Sequence, residues 1–195
     1  MKLENTFEVP LPIDETWRLL QDLRKVAPCL PGAHLDDVVE GEYRGGLSTK
    51  IGPITAKYRG NARFLERDEL DHRAVIQARG REERGSGTAA ATITATLRAT
   101  GSGTRVDLVT DMAISGRAAQ FGRSLIAEVS ATLIAEFAGR LKGLITGAGA
   151  PEPAQLDVAR TVVVPLGRKA LVPGIAGVVA GVLGWLLGRR AARSG

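Results

Sequence analysis

Residues 3–9 alternate apolar and polar, the two-residue period of a strand with one buried face. Pro12 then opens a short helical stretch carrying Trp17, Leu20 and Leu23, which Pro28, Pro31 and Gly32 bring to an end. Beyond Gly32 six strand-like runs follow, near residues 35–39, 43–51, 54–65, 73–79, 88–99 and 104–114. Turn-forming or charged segments separate them: Glu40-Gly41-Glu42, Gly52-Pro53, residues 81–87 and Gly101-Ser102-Gly103. This order predicts an antiparallel meander.

Residues 118–141 contain no proline and set Phe121, Leu125, Ile126, Val129, Leu133, Phe137 and Leu141 at three- and four-residue spacing, the stripe of one long helix. A sheet and a single helical stripe bury their apolar faces most simply when the sheet curls around the helix. The predicted fold class is therefore α+β, a curved antiparallel sheet gripping a long C-terminal helix.

The apolar faces of these strands are built from small residues. Ala89, Ala91, Ile93, Ala95, Leu97 and Ala99 occupy one face of the 88–99 run; Ala56, Tyr58, Gly60, Ala62 and Phe64 share a face, as do Ala74, Ile76, Ala78 and Gly80. Filling a core to crystal-like density takes volume that alanine and glycine do not supply. Either the helix approaches the sheet very closely or a cavity remains. If a cavity remains, its small-residue wall comprises Gly60, Ala62, Ala74, Ala78, Ala89, Ala91 and Ala95, with Tyr58, Phe64 and Met112 among them. The opposite wall comprises Trp17, Phe121, Leu125, Val129 and Leu133.

The net charge of +5 changes meaning once it is divided along the chain. Arg160, Arg168, Lys169, Arg189, Arg190 and Arg193 are accompanied by no acid after residue 160, which leaves about −1 for everything before it. A near-neutral body argues against nucleic acid as a partner, whereas basic residues beside an apolar stretch suit anionic lipid headgroups. Residues 170–188 carry no charge, and a helix of that length extends roughly 28 Å, close to the ~30 Å hydrocarbon core of a bilayer. The predicted organisation is a ligand-binding body over residues 1–144, a Gly/Ala/Pro-rich linker over 145–169 and a basic-flanked apolar membrane anchor over 170–195, either spanning or lying in the interface. With no apolar leader in the first ten residues and Cys29 as the sole cysteine, a reducing, cytoplasmic setting is expected.

Catalytic chemistry finds little purchase. His34 and His72, the two histidines, have no neighbours at metal-ligand spacing, and Cys29 reads as a packed thiol. Asp36-Asp37 and Glu82-Glu83 read as solvated turn charges, since adjacent strand residues face opposite ways. Residues 79–84, a charged turn, and Arg117 with Gln120–Arg123 near the expected cavity mouth are candidate partner-facing groups.

Several runs in order carry a resemblance: Pro12-Ile13 through Trp17 and Leu20, Pro31-Gly32-Ala33, Lys50-Ile51-Gly52-Pro53-Ile54, Tyr58-Arg59-Gly60, and Ile114-Ser115-Gly116-Arg117-Ala118-Ala119-Gln120-Phe121-Gly122-Arg123. In these the body resembles the CoxG-like family of carbon monoxide dehydrogenase subunits, within the START-like (SRPBCC), helix-grip superfamily. The resemblance implies an apolar cavity and no catalysis by this chain. It also implies a molybdenum-containing carbon monoxide dehydrogenase, or a related hydroxylase, as partner. The expected protein sits on the cytoplasmic face of the cell membrane, tethered by its C-terminus, and binds a menaquinone-type isoprenoid quinone or another lipid. The alternatives are an adaptor without ligand and a small enzyme acting on an apolar substrate.

Overall fold

A computed structural model describes residues 1–51 and 54–148, together with the backbone of Leu156–Asp157. Chain order is β1 (Lys2–Val9), α1 (Ile13–Gln21), α2 (Leu23–Val26), a 3₁₀ turn at Ala27–Cys29, β2 (Ala33–Val39), β3 (Glu42–Ile51), β4 (Ile54–Asp68), β5 (Arg73–Glu82), β6 (Thr88–Thr100), β7 (Gly103–Ile114), a 3₁₀ turn at Gly116–Phe121, α3 (Gly122–Thr146) and β8 (Leu156–Asp157). Strands β2 to β7 form the predicted meander, and β1 closes against β7, giving the order β1-β7-β6-β5-β4-β3-β2. All these pairings are antiparallel; β8 alone runs parallel, beside Thr49 and Lys50 of β3.

Register fixes which side chains share the concave face. Ala62, Ala78, Ala91 and Met112 lie abreast across β4 to β7, as do Phe64, Ile76, Ile93 and Thr110 in the next row. Toward one end the rows become Ala95 with Leu108, then Leu97 with Val106 and Phe7. Toward the other they become Gly60, Gly80, Ala89 and Ile114, then Tyr58 with Glu82. A bulge at Leu65 breaks the β4–β5 ladder and leaves that leucine about half exposed.

The long helix is held along β1. Asn5 Nδ2 donates to Ser130 Oγ at 3.0 Å, Arg123 donates to the Lys2 carbonyl at 3.2 Å, and Phe7 meets Phe137 edge to face at 5.6 Å. The stripe predicted from Ala118 does not begin as an α-helix. Gly122, at φ 75°, ψ 168°, lies outside helical space, so the first six residues form a separate 3₁₀ turn and α3 starts behind it. At its far end α3 continues to Thr146, where Gly147 at φ 72° terminates it in the left-handed conformation.

Among the described residues no helix is long and apolar enough to cross a membrane. The anchor expected over 170–195, and most of the linker expected over 145–169, lie outside the described residues.

Candidate functional site: the open end of the concave sheet

Burial along a single strand locates the site. On β6 and β7, Leu97 and Val106 are 4% and 0% exposed, whereas Ala89, Ala91, Ile93, Ala95, Leu108 and Met112, on the same face, stay half-buried. The sealed end is a continuous core in which Phe7, Val9, Trp17, Val26, Cys29, Ala74, Leu97, Val106 and Leu141 pack together. Val129, Phe121, Leu125 and Leu133 form a second apolar cluster on the first half of α3, separate from that core. Small side chains on the sheet and a separate apolar patch on the helix leave a hollow between them, because neither wall has the volume to reach the other.

The fifteen expected lining residues divide accordingly. Tyr58, Gly60, Ala62, Phe64, Ala78, Ala89, Ala91, Ala95 and Met112 share the concave face, and Phe121, Leu125, Val129 and Leu133 form the helix patch. Trp17 and Ala74, 5% and 4% exposed, belong instead to the sealed core. Gly60 has a second reason to be small: the Arg79 carbonyl occupies the place where a Cβ would stand. Phe64 is drawn partly outward, meeting Tyr43 at 6.3 Å with the Arg67 guanidinium 4.0 Å from its ring centroid. It also borders a surface recess of about 650 Å³ over the β2–β3 turn and the β4 bulge, lined otherwise by Val39, Leu65, glycine and charged residues.

The turn expected over residues 81–87 is corrected by the structure. Strand β5 runs on through Glu82, whose side chain is not solvated: it is 6% exposed and accepts a 2.7 Å hydrogen bond from the Arg117 guanidinium. Glu82 continues the parity of Ala74, Ile76, Ala78 and Gly80, so the alternation itself carries the signal and the surrounding charge masks it. Gly85 and Gly87 fold closely around the carboxylate, and Gly116, at φ 76°, has Gly87 Cα 2.6 Å from where its Cβ would lie. These contacts explain the glycines beside Arg117. Tyr58, opposite Glu82, has its phenol pushed up from the ordinary value by burial, with Glu82 adding to the shift and Arg117 opposing it. Its hydroxyl therefore stays protonated at neutral pH.

Cys29 is buried, 1% exposed, and burial pushes its thiol up, as befits a packed side chain. His72 caps the β4–β5 turn, with Nε2 3.0 Å from Asp14 Oδ1 and its ring edge-on to Trp17. Among the described residues no group of acidic, histidine or cysteine side chains is arranged to hold a metal ion.

The family model of the carbon monoxide dehydrogenase subunit (CoxG) matches residues 6–145, most of the chain and the whole of the grip. The chain belongs to the CoxG family. Family membership supports an accessory role of the CoxG kind. No curated protein matches the chain significantly. Among solved structures it is similar to a conserved protein from Geobacillus kaustophilus, with TM-score 0.64 and 19% identity over 76% of this chain and 97% of that one. It is also similar to a Mycobacterium smegmatis protein (TM-score 0.54, 19% identity, 76% and 92% covered) and to an aromatase/cyclase from Streptomyces (TM-score 0.52, 13% identity, 77% and 99% covered). At these identities the likeness establishes the helix-grip fold alone, which this CoxG member shares with proteins of differing function.

Proposed function

We propose that this CoxG-family chain is a membrane-anchored accessory protein that carries an isoprenoid quinone, or a lipid of similar shape, and links a cytosolic molybdenum hydroxylase of the carbon monoxide dehydrogenase type to the membrane quinone pool. The observation that carries the reading is the loss of burial along β6 and β7, from sealed at Leu97 and Val106 to half-buried at Ala91 and Met112. An apolar hollow that lacks packing partners gains them from an apolar ligand. Burial contributes about 25 cal/mol per Å², but a bilayer is itself apolar, so the net preference is small and exchange with the membrane is fast enough for a carrier. The tail supports the same reading through its six basic residues and its uncharged stretch over 170–188.

The test follows electrons and location together. Removing residues 160–195 is expected to move the protein from the membrane to the soluble fraction and to slow quinone reduction by the partner enzyme. A truncated protein that stays on the membrane, or that supports undiminished quinone reduction, contradicts the proposal.

A second reading, an enzyme acting on a bound apolar substrate, is favoured by the polar group at Tyr58, Glu82 and Arg117, because the concave lining is not wholly apolar. The two readings part at Glu82→Gln. An amide keeps the shape and a hydrogen bond to Arg117, so ligand binding survives under the accessory reading, while turnover of a substrate that needs the carboxylate is lost.

A further inference from the structure

Tyr58 and Thr49 stand diagonally across β4 and β3 at the open end. Register pairs Leu47 with Tyr58 and Thr49 with Ala56, which puts both hydroxyl residues on the concave face two positions apart. Thr49 is 7% exposed, and its buried Oγ1 has no hydrogen-bond partner. Leaving such a group dry and unpaired is costly, and native interiors rarely do so without a reason. The Tyr58 hydroxyl likewise has no hydrogen bond among the described residues, and its ring lies along Gly80, whose missing side chain gives it room at 3.4 Å.

The charge beside these hydroxyls is already satisfied. Glu82, opposite Tyr58, is paired with Arg117, and the same Arg117 nitrogen reaches the Arg84 carbonyl at 3.4 Å. An anionic head would meet the Glu82 carboxylate, and a cationic head would compete with Arg117. An uncharged head bearing acceptor oxygens meets neither penalty and satisfies both hydroxyl donors.

Resting on the quinone or lipid reading above, we propose that Tyr58 and Thr49 seat the head of the ligand, donating hydrogen bonds to uncharged acceptor oxygens such as the carbonyls of a quinone ring, with the apolar chain running along Ala62, Ala91 and Met112 toward the α3 patch. The hydroxyls select the head; the small residues accept the chain.

The experiment is a fluorescence-quenching titration of the full chain in detergent micelles with two probes, a short-chain menaquinone and an isoprenoid hydrocarbon of matching length. Tyr58→Phe and Thr49→Val are each expected to weaken the menaquinone by about tenfold while leaving the hydrocarbon within about twofold. Thr49→Val carries an independent signature, because replacing an unpaired buried hydroxyl with a methyl group is expected to raise Tm as it lowers quinone affinity. If wild type binds both probes and the variants bind menaquinone as well as wild type does, the head site is wrong and the hollow stands. If both probes weaken together, the residues only shape the cavity and the head site is also wrong. If wild type binds neither, the ligand reading fails and takes the head site with it.

Discussion

The two ends of the concave sheet are made by the same strands and gripped by the same helix, yet one is packed and the other is not. At the packed end, Leu97, Val106, Phe7 and Trp17 meet the second half of α3 at Phe137 and Leu141. At the open end the facing positions are Ala62, Ala78, Ala89 and Ala91, and the α3 patch around Val129 stands apart from the core. Backbone geometry is common to both, so side-chain volume makes the difference. Stability is concentrated where the volume is, which leaves the other end able to accept a guest at little cost to the fold.

Truncation should expose this asymmetry most strongly. Leu141→Ala, at a position 0% exposed, is expected to cost about 3–4 kcal/mol in urea unfolding, against about 1 kcal/mol for Leu133→Ala, whose side chain already borders unfilled space. Equal costs would mean that the open end is as tightly packed as the core.

Overfilling should act in the opposite sense. Ala74→Phe in the sealed core is expected to lose about 1–3 kcal/mol or to prevent folding, whereas Ala91→Phe or Ala95→Phe should leave the protein folded with stability within about 1 kcal/mol. The same two variants should lose ligand binding and slow electron delivery. Thermal unfolding and a binding titration on one preparation measure both.

The polar closure of the open end gives an intermediate effect. Arg117→Ala strips the buried Glu82 carboxylate of its partner and is expected to cost about 1–2 kcal/mol, because the arginine itself is 55% exposed and solvent screens the pair. Reversing Arg81 and Arg84 to glutamate, on the exposed side of the same hairpin, should leave stability within about 0.5 kcal/mol. Unchanged co-purification of the partner enzyme with that double variant would clear this turn of a docking role.

How far the sequence reveals these two ends depends on what kind of signal each residue carries. Alternation in residues 73–79 and 88–99 is long and regular, so strand order and the concave-face alanines are legible without any tertiary knowledge. Glu82 is not legible in this way, because charge density over residues 81–84 resembles a turn and the deciding fact, Arg117 arriving from a distant segment, has no local trace. Thr49 is silent for a similar reason: a threonine in a strand is ordinary, and only its burial without a partner makes it notable. Trp17 and Ala74 have the right residue types for a cavity wall but lie at the sealed end, a distinction periodicity does not carry. The start of α3 escapes the pattern because the apolar stripe continues across Gly122 while the helical backbone does not.

The smallest effect lies on the alkaline side. Burial raises the Cys29 thiol above its ordinary 9.0, so the unfolded chain loses that proton first. The stability this contributes is complete below pH 9 and is lost as pH rises through the folded value. Cys29→Ala should therefore flatten the decline in stability above pH 9, read from urea midpoints at successive pH values, and an unchanged slope would remove Cys29 as its cause.

The most direct test of an unfilled, ligand-accepting end is native mass spectrometry of the full chain purified from membranes, wild type beside Ala91→Phe, with organic extraction of whatever is bound. The expected result is a wild-type adduct with the mass of an isoprenoid quinone or similar lipid, released on extraction and missing from the folded Ala91→Phe variant. Wild type without any adduct, or both proteins carrying the same one, would contradict a ligand-accepting hollow at this end.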